Sequence, residues 1–179
     1  MSGNGERHDA AEVGMAPTEL QSSSMSKILV QGIATEYVDA IRCGGADANG
    51  QTAVVQVSRG LGNPCRHCLG LIDDGDGKLV LSYRPFTSLQ PYAESGPIFL
   101  HRRECSRYEA SEFPAWFSYM DAALVRGYDK VDWIRYETGR VVRGAELAEA
   151  SGAILDAGDV AYVHVRSKFN CFQCRIDRA

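Results

Sequence analysis

The sequence predicts an α+β fold: a mainly antiparallel sheet with two helices packed on it and a zinc-knuckle-like insertion. Three observations predict it. Short β-branched runs are separated by turns rich in Gly, Asn and Pro. Apolar residues recur at helical spacing after Ser111 and again after Ala145. Cys65 and Cys68 form a Cys-x2-Cys pair, and His101 and Cys105 a His-x3-Cys pair, on either side of an apolar strand. A chain of 179 residues with this apolar content is long enough to bury a core and is most simply one domain, 27–179. Residues 1–26 are rich in Gly, Ser, Ala and charge without periodicity and read as a disordered leader, within which either Met1 or Met25 can serve as the start.

Lys27 to Ile33 is short and apolar, as a buried strand is. Gly44 to Gly50 is a loop whose Asn-Gly step suits a tight turn, and Ala53 to Val57 is a second strand. The segment 64–105 then carries the insertion. Cys65-Arg66-His67-Cys68 admits three readings: a metal knuckle, a thiol-redox motif, or packed inert thiols. A redox Cys-x-x-Cys sits at a helix N-terminus, where the dipole lowers the thiol pKa. Leu69 to Gly77 contains three glycines and three aspartates and predicts a hairpin instead, which favours metal. With His101 and Cys105 the set has the composition of a structural zinc site. The acidic turn 73–77 lacks the closing Glu of a calcium loop.

Lys78 to Arg84 alternates as a strand with one buried face, and Ile98 to His101 is another. Between them a proline-bracketed loop carries Tyr92 and Glu94. Ser111 is placed to cap a helix in which Phe113, Trp116, Phe117, Met120 and Leu124 share a face and Gly127 ends the run. Val131 to Tyr136 reads as a strand, Gly139 as a turn, and Ala145 to Leu155 as a helix weakened by Gly152.

The C-terminal hairpin, drawn with a four-residue loop at 167–170, pairs Arg166 with Cys171, Val165 with Phe172 and His164 with Gln173. One face is then apolar. The other holds Tyr162, His164, Arg166, Cys171, Gln173 and Arg175, which combine a nucleophile, a proton shuttle and guanidinium groups. On regular strands Cys171 and Cys174 point to opposite sides and do not chelate together. The same polar face also fits plain solvation with an incidental thiol, and Cys171 or His164 offers an alternative to His101 at the metal.

The net charge of -4 argues against a general nucleic-acid binder, because such affinity rests on Lys and Arg neutralising phosphates. No apolar run spans a bilayer, and no secretory signal is visible, so a reducing cytoplasm is the expected compartment and the thiols are expected unpaired.

Asp47 to Gly50, Pro64 to Leu69, Tyr83 to Phe86, Pro91 to His101, Arg126 to Tyr128, Tyr162 to Arg166 and Asn170 to Cys174 together resemble the bacterial family catalogued as domain of unknown function 1203. That resemblance implies no activity. Cys65 to Cys105 is also similar in spacing to treble-clef fingers of the LIM and poly(ADP-ribose) polymerase type, although Leu100 stands where those fingers carry an aromatic residue. Two functions follow as expectations. One is a zinc-stabilised module that binds a small anionic ligand or a protein, with Arg84, Tyr92, Tyr162 and Arg175 as ligand contacts. The other is a small acyl- or phosphoryl-transfer enzyme using Cys171, His164, Arg166 and Glu94, or a thiol-redox protein.

Overall fold

A computed structural model describes residues 26–179, so the expected leader and the choice between Met1 and Met25 lie outside the described residues. The chain runs β1 (Ile28–Gln31), α1 (Thr35–Arg42), β2 (Val54–Val57), β3 (Gly77–Tyr83), β4 (Gly96–His101) and β5 (Glu109–Ala110). It continues through a 3-10 turn (Ala115–Tyr119), β6 (Ala123–Tyr128), β7 (Arg140–Val142), α2 (Leu147–Leu155), β8 (Tyr162–Ser167) and β9 (Phe172–Arg178). A six-stranded sheet has the order β5-β1-β9-β8-β6-β7 and a three-stranded sheet the order β2-β3-β4. Every strand pairing in the two sheets is antiparallel. The α+β class holds, with two α-helices and the Cys/His insertion.

Alternation along the strands gives each face its own core. Val30, Val125, Val163, Val165, Cys174 and Ile176 pack with Leu147, Ile154 and Leu155 of α2 on one side of the large sheet. The small sheet buries Leu79, Leu81, Ile98 and Leu100 with Val38 and Ile41 of α1 and with Cys65. Phe86 closes over Tyr128 and Tyr162 in a third cluster. Burial of this kind contributes about 25 cal/mol per Å² of apolar surface.

Three expectations change. The helix after Ser111 is a 3-10 turn of five residues; Met120 turns extended (ψ 118°), and Leu124 and Gly127 lie in β6, paired with Arg166 and Val163. Phe113, Trp116, Phe117 and Met120 do face the main core, so the apolar positions are right and the period is wrong. Pairing of β6 between β7 and β8 overrides a helical pattern that Pro114 confines to one turn. The second helix is instead α1, whose N-cap, Ala34, makes no side-chain cap hydrogen bond and leaves no start signal.

Val131 to Tyr136 is no strand. The Asp129 carboxylate accepts the N–H groups of Val131 (2.9 Å) and Trp133 (3.0 Å), and Asp132 has φ 66°, so a local side-chain bond wins over a ladder. The hairpin register also differs: Val163 pairs with Ile176, His164 with Arg175 and Val165 with Cys174, and a bulge then sets Arg166 opposite Phe172. Asn170 takes φ 64° in the turn. The bulge rotates Phe172 out of the apolar face and into the core of the small sheet.

Candidate functional site

The first site is a sulfur-rich centre between the small sheet and α1. Cys65 and Cys68 lie on a knuckle closed by the Cys65 N–H donating to the Gly70 carbonyl at 2.9 Å, with Leu69 in the left-handed region at φ 52°. His101 ends β4 and Cys105 follows it in the loop. The ligand atoms of Cys65, Cys68, His101 and Cys105 all lie within 4.8 Å of one another. Cys65 and Cys105 Sγ are 3.9 Å apart, and Cys68 Sγ is 3.4 Å from His101 Nδ1. Tetrahedral zinc, with bonds of about 2.3 Å to sulfur and 2.0–2.1 Å to nitrogen, sets S···S edges near 3.8 Å and S···N edges near 3.6 Å. The four residues therefore fit one metal ion. All six cysteines are unpaired.

The surroundings favour a thiolate at Cys65, while Cys68 is pushed up first by its contact with Cys105, and Cys105 first by its contact with Cys65. Cys65 has its pKa lowered by hydrogen bonds from Cys105 and Cys68, and the backbone N–H of His101 points at its sulfur from 3.3 Å. Arg42, in the last turn of α1, donates to Cys105 Sγ at 3.3 Å and to the carbonyls of His101 and Arg103. His67, fully buried, places Nδ1 3.2 Å from Cys105 Sγ and Nε2 3.0 Å from the Thr35 hydroxyl. Burial lowers its pKa and favours the neutral ring; in the tautomer that donates from Nδ1 to Cys105 Sγ, Nε2 accepts from the Thr35 hydroxyl. Both ends of α1 thus grip the centre. His67 was visible between the two cysteines but its place beside Cys105 was not, and Arg42 and Thr35 carried no signal in the sequence.

The second site is a cleft of about 470 Å³ between the β1–α1 connection and the large sheet, lined by Arg84, Arg107, Arg175, Asp47, Tyr37 and His164 among others. The knuckle holds one wall in place. The Ile33 N–H donates to the Arg66 carbonyl at 2.8 Å, and Gly32 passes so close that a Cβ there would meet the His67 carbonyl oxygen at 1.9 Å. Arg107 pairs with Glu109 at 3.4 Å and Arg175 with Asp177 at 2.8 Å. Arg84 forms no ion pair among the described residues and donates only to the Ala48 carbonyl, at 3.2 Å. His164 is 1 % exposed, its Nδ1 has no partner, and burial with Arg166, Arg175 and Arg126 nearby holds its pKa well below the ordinary value. On the face expected to be polar, His164 is buried beneath Phe86, Tyr128 and Phe172, while Cys171 and Arg175 stay partly exposed.

The expected residues divide accordingly. Arg84, Arg175 and His164 meet in the cleft. Cys171 does not join them: the bulge sets it across from Ser167, in a separate groove with Trp116 and Met120. Neither Cys171 nor His164 belongs to the candidate metal-binding cluster, which includes His101. Glu94 meets Arg166 at 2.9 Å and also bonds Arg126, so this carboxylate ties the 84–95 loop to the sheet. Tyr162 is buried, donates to Asp132 at 2.6 Å and supports Arg175, whose guanidinium lies 3.8 Å from its ring centre. Tyr92 packs on Trp133 and Tyr136, away from the cleft.

A family model described as "Protein of unknown function (DUF1203)" matches residues 62–178. No curated protein and no solved structure matches the chain.

Proposed function

Because the chain belongs to this DUF1203 family, whose description assigns no activity, we propose a function from the two sites: a zinc-stabilised module that binds a small anionic ligand. Zinc is favoured over other ions by three sulfur donors and one imidazole at tetrahedral spacing. Four protein ligands leave no open position, so the ion's contribution is to hold the knuckle, and through it the cleft wall, rather than to activate water. The observation that carries the ligand reading is Arg84, a cleft guanidinium with no carboxylate partner beside an unpartnered buried imidazole. A fixed planar guanidinium is suited to a carboxylate or phosphate. Transfer chemistry with Cys171 as nucleophile is not favoured, since the thiol and His164 line separate depressions.

Calorimetric titration of the metal-loaded chain with benzoate and with inorganic phosphate tests the reading. At least one is expected to bind, and Arg84→Gln is expected to weaken it by about tenfold or more. Absence of binding by both defeats it.

A further inference from the structure

Five rings run without interruption along the cleft. Tyr37 and Tyr83 are 5.2 Å apart between centres, Tyr83 and Phe172 5.3 Å, Phe172 and His164 5.1 Å, and His164 and Phe86 5.3 Å, and all five line the cavity. Rings so arranged offer edges and faces to a further ring, and give a saturated body of equal size less. Two of them carry polar groups that the fold leaves unused: Tyr37 Oη and His164 Nδ1 have no hydrogen-bond partner. Buried polar groups ordinarily find one in protein or ordered water, so both groups have hydrogen-bonding capacity left for water or for a ligand.

The charges select the other end. Arg107 and Arg175 are matched by Glu109 and Asp177, and the Asp47 carboxylate is taken up by the backbone N–H groups of Asn49, Gln51 and Ser82. Arg84 makes no ion pair among the described residues and keeps free donors, while Asp47 remains a charged carboxylate in the cleft lining. One planar fork with one charge suits a carboxylate better than a dianionic phosphate.

We propose that the cleft takes a hydroxylated aromatic monocarboxylate, with its carboxylate on Arg84, its ring on the Tyr83–Phe172 floor and its hydroxyl hydrogen-bonded to His164. The inference rests on the anion-binding reading above and narrows it. His164 is suited to the contact because it stays neutral there, with a lone pair and an N–H to offer. The volume of about 470 Å³ lies in the range of small-molecule sites.

The test is calorimetric titration of the metal-loaded full chain with 4-hydroxybenzoate, benzoate, cyclohexanecarboxylate and inorganic phosphate at one ionic strength. The expected order is 4-hydroxybenzoate, then benzoate, with cyclohexanecarboxylate and phosphate weaker than benzoate by about tenfold. His164→Gln narrows the gap between the first two. Should that variant not fold, nitrogen NMR of the wild type replaces it: the His164 ring signals shift with 4-hydroxybenzoate more than with benzoate. Cyclohexanecarboxylate or phosphate binding as tightly as benzoate overturns the aromatic assignment and leaves the anion reading standing. Equal affinity for benzoate and 4-hydroxybenzoate, with unmoved His164 signals, overturns the hydroxyl contact. No binding by any of the four defeats both readings.

Discussion

Glu94 holds two guanidinium groups at once, and one of them, Arg166, is almost wholly buried. A carboxylate so placed is hard to remove, because its loss leaves a desolvated charge without a counter-ion. Glu94→Gln is expected to destabilise the protein by about 1–3 kcal/mol in urea unfolding, the lower part of that range if water reaches the half-exposed loop. His67 acts at the other site. Its imidazole holds Cys105 Sγ through Nδ1, and His67→Phe is expected to weaken metal binding by about 10–100-fold in competition with a chelator, while the four ligands remain. Both residues were visible in the sequence, but their partners were not. Glu94 is 32 positions from Arg126, and which sheet residue a loop carboxylate reaches is set by strand order. The cluster of Cys65, Cys68, His101 and Cys105 was legible because a tetrahedral metal site imposes a spacing on the chain itself.

At the scale of elements, the close passage of β1 past the knuckle depends on a missing side chain. Gly32→Ala would bring a Cβ to 1.9 Å from a backbone oxygen, which forces the strand off the metal knuckle. Roughly 2 kcal/mol or more should be lost, with weaker metal retention. Gly96→Ala, where nothing lies within 4 Å of the added carbon, serves as the control and should be neutral or slightly stabilising by thermal melting. β3 was readable because Leu79 and Leu81 are buried while Val80 and Ser82 are only partly so, and β8 was readable from the alternation of its residue types although both of its faces are buried. The segment 111–127 was not: its aromatic spacing fits a helix, but the last third is claimed by a sheet whose other strands come from elsewhere in the chain. The hairpin parity was legible and its register was not, since one extra residue at the bulge turns Phe172 to the opposite face and parts Cys171 from His164.

For the whole molecule, the buried His164 makes stability depend on pH. Its native pKa is held well below 6.5 by burial first and by Arg166, Arg175 and Arg126 after it. The unfolded chain binds a proton near pH 6.5 that the native state refuses, so stability falls as pH drops below that point and until the native pKa is reached. The loss approaches about 1.4 kcal/mol per pH unit from this group. His164→Gln should flatten that component between pH 6.5 and 5 in denaturant titrations, whereas protonation of the metal ligands affects both proteins alike.

No described helix is long and apolar enough to cross a membrane. What joins the parts is the sulfur centre, which ties β4, α1 and the knuckle together and fixes the cleft wall behind them. X-ray absorption at the zinc edge, on protein purified without added metal, tests this most directly. Close to one zinc per chain is expected, with three sulfur neighbours at about 2.3 Å and one nitrogen at about 2.0 Å; protein free of metal, with Cys65 and Cys68 joined in a disulfide, would rule out the zinc-held knuckle.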